Sequence, residues 1–134
     1  MIDVKKTLAK ILHWIGAIDD YVVEQGTIYT YTKYRKWNSG KAECWYHRTI
    51  TGINTQAWAS PIYYQDSTVF GTIWNGLFNT APHSVFGSSD YSQAISIIPN
   101  SYNAKGITSL RFVTVGQKSS ASGAISIYAE GTWK

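Results

Sequence analysis

From Tyr21 onward the chain alternates polar and apolar residues with a period of two, and this pattern constrains the fold most strongly. Residues 28–37 alternate aromatic rings with polar side chains, and residues 41–50 do so again after a turn-forming segment at 38–40. Other strands are predicted over residues 21–24, which end before Gly26, and over 68–74, 94–98, 109–115 and 124–129. The pattern predicts a mainly β head, an antiparallel sandwich or jelly-roll-like fold, over residues 21–134.

The first 20 residues carry a helical pattern instead. Apolar residues recur at alternating spacings of three and four, the a/d repeat of a coiled coil: Met1, Val4, Leu8, Ile11, Ile15 and Ile18. Asp3 suits the N-cap, and Asp19 and Asp20 close the run. Because a helix of about 16 residues is marginal alone in water, its apolar seam needs a partner.

Isoleucine at both a and d positions favours trimers. We therefore predict a helix over residues 3–18, within an oligomerisation neck at 1–20, that trimerises through Val4, Leu8, Ile11, Ile15 and Ile18. Leu12 and Trp14 widen the apolar face, which leaves open the alternative that the helix packs on its own β domain.

Composition narrows the class of protein. Charged residues make up only 15% of the chain, so uncharged polar groups must cover much of its surface. The single cysteine, Cys44, cannot form an internal disulfide. No stretch approaches the ~18 apolar residues of a membrane span, and the N-terminus lacks a signal-peptide core, so we expect a soluble, unprocessed chain. Residues 116–123 are small and polar and are predicted to form a mobile hairpin tip.

Catalytic signatures are scarce. The histidines lack metal-ligand spacing, and no phosphate-binding loop occurs, so we predict no metal and no cofactor. Cys44 and His47 are an odd number of residues apart on one strand and should point to opposite faces, which excludes a nucleophile–base pair. Glu43 and His47 share a face, and a surface ion pair is expected there.

Glycoside cleavage needs two carboxylates at a suitable separation. The predicted β domain contains five acidic residues, and the sequence does not say which two of them lie close together: Glu24, Glu43, Asp66, Asp90 and Glu130. A small glycan-cleaving enzyme is thus a minor alternative. We predict a protein that is not an enzyme.

The net charge of +4 is concentrated between positions 33 and 48, where five cations face one acid: Lys33, Arg35, Lys36, Lys41 and Arg48 against Glu43. Tyr34, Trp37, Trp45 and Tyr46 interleave with them, a mixture that can stack bases and hold phosphates. An exposed strand face explains the same residues. Nucleic-acid binding is therefore a further alternative.

Flat ring faces with neutral polar groups are typical of carbohydrate recognition, and the chain is rich in both. Aromatic residues near turn signals are the predicted contact residues: Trp58, Tyr63, Tyr64, Trp74 and Tyr91.

Two stretches carry a family resemblance. Residues 21–27 (YVVEQGT) with 34–45 (YRKWNSGKAECW), and the closing residues 125–134 (ISIYAEGTWK), resemble the β-rich C-terminal head domains of structural proteins in tailed bacteriophages and prophages of Gram-positive hosts. The resemblance covers most of residues 21–134. It carries no catalytic set.

The resemblance implies a homotrimeric tail fibre, head fibre or receptor-binding protein of the virion, made in the host cytoplasm, in which a helical neck leads to a β head. The implied partners are further copies of the chain, other virion proteins and a host cell-surface glycan. An architectural capsid or tail decoration protein without receptor binding is the main alternative. The short neck is expected either in a short decoration fibre or in the head domain of a longer protein.

Overall fold

The structure, a computed structural model, describes residues 3–16, 18–89 and 95–134. It contains one helix, α1 (Val4–Trp14), and nine strands: β1 (Val22–Ile28), β2 (Thr32–Trp37), β3 (Lys41–Ile53), β4 (Gln56–Ala59), β5 (Ile62–Ser67), β6 (Ser84–Ser89), β7 (Ile95–Tyr102), β8 (Ile107–Val115) and β9 (Ala121–Thr132). The prediction of a mainly β protein with one short helix is confirmed.

The strands form two antiparallel sheets. The large sheet has the order β1-β2-β3-β9-β6, and the small sheet has the order β4-β5-β8-β7. The longest ladder joins β3 to β9, from the pair Lys41 and Thr132 to the pair Ile53 and Ala121. In the large sheet the long strands β3 and β9 lie side by side, with β2 and β1 on one side and β6 on the other. In the small sheet β5 and β8 are the two central strands.

One hydrophobic core takes side chains from both sheets. Tyr46 of β3 contacts Phe70 with ring centroids 6.0 Å apart, and Phe70 contacts Phe112 of β8 at 6.4 Å. All three rings are buried. Phe70, which belongs to neither sheet, thus links the inner face of the large sheet to that of the small one.

The strand predicted over residues 68–74 is wrong, because residues 69–77 form successive turns. The buried side chains of this segment have helical spacing instead: Phe70, Ile73, Trp74, Leu77 and Phe78. The segment is held by the backbone of neighbouring elements, since the Thr32 hydroxyl donates to the Ile73 carbonyl over 2.7 Å and the Trp74 amide donates to Lys105 over 3.1 Å.

The helix begins as predicted but ends early. The Asp3 side chain accepts a hydrogen bond from the Lys6 amide over 3.1 Å, which confirms the N-cap. The helix ends at Trp14, and the amide of the C-cap residue Ile15 makes the last i→i−4 hydrogen bond, to the Ile11 carbonyl over 3.0 Å. The chain cannot continue as a helix because Gly16 takes a φ of +78°, a left-handed conformation that commonly ends helices. Ile15 is the C-cap and Ile18 lies beyond the helix, so the prediction of a continuous helical seam through Ile18 is wrong.

Several other strands begin or end at residues that differ from the predicted ones, because pairing between distant strands sets their bounds. The predicted strand over 28–37 is interrupted at residues 29–31, where Tyr29 has a φ of +54°, and β1 continues through Gly26. Residues 116–120 join β8 of the small sheet to β9 of the large sheet, so they are not the tip of a hairpin. β4, β5 and β6 lie in stretches for which the sequence pattern predicts no strand.

The turn at residues 38–40 is confirmed, because the Gly40 amide donates to the Trp37 carbonyl over 3.0 Å and Gly40 has a φ of +100°. The strands predicted over 41–50, 109–115 and 124–129 fall within β3, β8 and β9. The strand predicted over 94–98 is found from Ile95 onward, and residue 94 lies outside the described residues.

Candidate recognition surface

Two of the predicted contact residues meet on the outer face of the small sheet. The rings of Trp58 and Tyr64 lie 5.7 Å apart at 68°, an edge-to-face contact. The Arg111 guanidinium carbon lies 4.8 Å from the centroid of Trp58 and 4.5 Å from that of Tyr64. We call Trp58, Tyr64, Asp66 and Arg111 the aromatic platform.

Strand register explains how these side chains come together. Asp66 of β5 lies directly opposite Arg111 of β8, and Tyr64 lies opposite Val113. Because alternate residues share a face, Tyr64, Asp66 and Arg111 all lie on the outer side. Trp58 belongs to the short edge strand β4, at an irregularity between Ala57 and Ala59. Such bulges re-aim side chains, and the indole, 52% exposed, reaches the platform.

A two-point ion pair holds Arg111 in place. Its Nε donates to Asp66 Oδ1 over 2.7 Å, and its terminal nitrogen Nη2 donates to Oδ2 over 2.9 Å. The hydrogen bond from Arg111, with the nearby positive charge, lowers the pKa of Asp66 below its usual range. The carboxylate therefore stays ionised at neutral pH, and the platform presents rings and neutralised charge rather than a free cation.

The other predicted contact residues lie elsewhere. Tyr63 is half-buried and lies on the opposite face of β5, where its register partners are Ala57 and the buried Thr114. Trp74 is fully buried in the core, and its indole nitrogen donates to the Asn103 carbonyl over 2.9 Å. The prediction of a surface role for Trp74 is wrong, because helical spacing turns it inward. Tyr91 lies outside the described residues.

Sequence reasoning missed Arg111 as a site residue. The sequence does contain a feature that could have identified it. Arg111 is the one charged residue in the β-forming stretch 109–115, and the period-two pattern places it on the outer face. Its ion-pair partner could not be found in that way, because Asp66 lies 45 residues earlier in the chain.

The outer face of the large sheet brings together two of the carboxylates whose pairing the sequence left open. Glu43 and Glu130 are direct cross-strand neighbours, and the Tyr128 hydroxyl lies 2.9 Å from an oxygen of each. Burial, followed by these two carboxylates, raises the pKa of Tyr128. Glu43, only 7% exposed, also accepts from the Trp37 indole over 3.3 Å. Both oxygens of Glu43 therefore lie within hydrogen-bond distance of a protein donor.

The remaining candidate catalytic residues are separated. Cys44 is buried, burial raises the pKa of its thiol to about 12, and His47 is exposed on the other face, as predicted. The expected ion pair between Glu43 and His47 is wrong, because the His47 Nδ1 lies 2.9 Å from the Ser126 hydroxyl. Within the described ranges, no group of three or more His, Cys, Asp or Glu side chains could hold a metal ion.

Among the described residues there is no helix with the length and apolar character needed to cross a bilayer. Comparison with family models, with curated proteins and with solved structures found no match to this chain.

Proposed function

We propose that this protein is a non-enzymatic structural protein of a phage virion, a homotrimeric fibre or receptor-binding head that contacts a glycan on the host cell surface. The resemblance of residues 21–27, 34–45 and 125–134 to phage head domains supports this class of protein. We also propose that the two sheets pack as a sandwich. The observation that carries the recognition role is the aromatic platform.

The chemistry of the platform suits a neutral sugar. The exposed Trp58 indole offers an apolar ring face, and sugars present C–H groups that pack on such faces. Arg111 is fixed by Asp66 and by the two rings, so its remaining N–H groups are pre-oriented toward a ligand. Because Asp66 balances the charge of Arg111, the platform does not require an anionic partner.

The trimer is proposed from the apolar seam of α1. The seam residues are largely exposed in one chain: Val4 74%, Leu8 53%, Ile11 51% and Ile15 63%. The side of the helix that meets its own domain is a different one, where Lys6 and Ala9 face Val22 and Val23 across a groove of about 370 Å³. A second and third copy of the chain are the occupants that fit this repeat of Val, Leu and Ile.

Trimerisation and weak recognition support each other. A platform of two rings and one arginine offers few contacts, so a single site is expected to bind weakly. Three sites on one stalk raise the effective concentration and can strengthen attachment by ~10² or more. A homotrimeric head therefore allows three weakly binding platforms to attach firmly to one surface.

The test is binding of the full-length protein to a glycan array and to whole Gram-positive cells. We expect the unaltered chain to bind and the Trp58→Ala variant to bind at least about tenfold more weakly, because one stacking surface is lost. Phe86→Ala is the matched control, since Phe86 is a 64% exposed ring on the other sheet. It should bind like the unaltered chain.

A blank array and a blank cell pull-down, from a sample whose mass shows the intact trimer, would contradict the receptor role. The architectural decoration protein would then become the better reading. Equal losses in Trp58→Ala and Phe86→Ala would instead move the recognition site away from the platform.

A further inference from the structure

A second surface, on the outer face of the large sheet, has a different electrostatic character from the platform. Gln25 and Thr27 of β1 lie opposite Arg35 and Lys33 of β2, and Lys33 lies opposite Trp45 of β3. These five side chains line a shallow groove of about 530 Å³, which we call the cationic groove. Alternation along each strand brings all five to the same face.

The two cations of the groove lack an ion-pair partner in the part of the chain that the structure describes. Lys33 and Arg35 are exposed, and among residues 3–16, 18–89 and 95–134 no carboxylate forms an ion pair with either. Two other basic side chains of this hairpin, Lys36 and Lys41, do have carboxylate partners. Lys36 pairs with Glu24 at 3.1 Å, and Lys41 lies 3.8 Å from Glu43.

The carboxylate opposite Arg35 is already engaged. Glu43 is its cross-strand neighbour, yet the oxygens of Glu43 accept from Trp37 and Tyr128. Arg35 instead lies over Trp45, with its guanidinium carbon 5.4 Å from the ring centroid. The cation is thereby held at the wall of the groove, beside an indole that is 38% exposed.

These features define the chemistry of the ligand. Lys33 and Arg35 are two residues apart on one strand, so their Cα atoms are separated by about 7 Å, which suits one anionic group or two neighbouring ones. Trp45 supplies an apolar surface for a ring, and Gln25 and Thr27 supply a neutral amide and a hydroxyl for hydroxyl groups. Together they match a sugar that carries a carboxylate or a phosphate.

The surroundings favour a short acidic saccharide over a nucleic acid. Glu43 and Glu130 lie next to the groove on β3 and β9, so a long polyanion that continued across the sheet would meet two carboxylates. A single-stranded nucleic acid would also need successive exposed rings, whereas Tyr46 is buried in the core and Tyr34 is bonded to Glu24 on the opposite face. We propose that the cationic groove binds an acidic saccharide, at a site separate from the aromatic platform.

The experiment measures binding of four probes to the full-length chain by calorimetry and by NMR shifts of the Trp45 indole and Arg35 side-chain N–H groups. The probes are tetragalacturonic acid, glucose 6-phosphate, neutral cellotetraose and an eight-residue oligothymidylate. We expect at least one of the first two to bind in the groove. Whichever binds identifies the anion as carboxylate or phosphate.

Three variants complete the test. Lys33→Gln and Arg35→Gln each remove one cation of the groove and should weaken binding of the acidic probe about tenfold. Arg48→Gln is the matched control, because it removes a charge from the same hairpin at a side chain that lies over Tyr31, 4.7 Å from the ring. It should bind as the unaltered chain does. Trp58→Ala should also leave this binding unchanged, which separates the groove from the platform.

Four results would overturn the proposal. The first is no shift at Trp45 and Arg35 with either acidic probe. The second is equally strong binding of cellotetraose in the groove, seen as shifts of the same Trp45 and Arg35 signals. The third is a loss in Arg48→Gln as large as in Arg35→Gln. The last is tighter binding of the oligothymidylate than of both acidic probes. The last result would assign the groove to single-stranded nucleic acid, and its affinity should then fall steeply with salt.

Discussion

At the scale of single residues, burial divides the aromatic side chains into two groups with different roles. Trp74 has no exposed surface and satisfies its indole N–H internally, whereas Trp58 is half-exposed on a bulged edge strand. Both are tryptophans next to turn signals, and only their surroundings distinguish them. Their contributions to stability should therefore differ.

We expect Trp74→Ala to lower the free energy of unfolding by about 3–5 kcal/mol, because it opens a large cavity in the core. Trp58→Ala should cost less than about 1 kcal/mol, since it removes a surface contact only. Urea denaturation of both variants measures the difference. Similar losses in the two would contradict the assignment of Trp74 to the core and Trp58 to the surface.

A pH dependence follows from the ion pair of the platform. Arg111 lowers the pKa of Asp66, so the pair stabilises the folded state above the ordinary pKa near 3.8 and loses this contribution as pH falls through the lower folded value. The advantage of the unaltered chain over Asp66→Asn should therefore be present at pH 6 and should shrink between about pH 4 and pH 2. Urea unfolding across this range measures it, and a constant difference would contradict it.

At the scale of elements, the segment at 69–77 contributes buried side chains to the core that both sheets share. Its buried side chains have helical spacing, and its backbone is held at Phe70, whose carbonyl accepts from the Ile107 amide over 2.9 Å. The loop before β8 approaches it so closely that a β-carbon on Gly106 would lie 2.4 Å from the Phe70 carbonyl oxygen. This contact is between backbones and cannot be relieved by a rotamer change.

Gly106→Ala should therefore destabilise the protein by about 2 kcal/mol or more, because the two backbones must separate. Gly52→Ala is the control, since Gly52 has a φ of +71° and open space around it, and its conformational strain should cost about 1 kcal/mol. Thermal and urea unfolding compare them. If Gly106→Ala proved no more costly than Gly52→Ala, the close approach would be contradicted.

At the scale of the whole molecule, the proposed assembly makes a prediction about mass. One chain weighs 15.0 kDa, so light scattering after size exclusion should give about 45 kDa for the trimer. The double variant Leu8→Gln with Ile11→Gln places polar groups in the seam and should shift the mass toward one chain. Lys10→Gln, exposed on the same helix, is the control and should remain trimeric.

A monomeric unaltered chain would contradict the trimer and leave the seam without a partner. A double variant that stayed trimeric would move the interface from α1 to the β domain. The early end of α1 makes this second result informative, because the seam within the helix extends only from Val4 to Ile11.

Local patterns in the sequence were sufficient to predict the β class, the start of α1 at Asp3, the turn at 38–40 and the opposite directions of Cys44 and His47. Each of these depends on backbone geometry or capping over a few neighbouring residues, which the sequence displays directly. The same local rules did not predict the end of α1 at Gly16, although its glycine was a visible signal.

Only the tertiary structure decided which rings are buried and which carboxylates have partners. Trp58 and Trp74 both lie near turn-forming residues, but Trp58 lies exposed on an edge strand and Trp74 is fully buried in the core. The pairs Asp66 with Arg111 and Glu43 with Glu130 are formed by strand register over long sequence separations. Cross-strand pairing depends on the whole topology, so no local pattern could reveal these pairs.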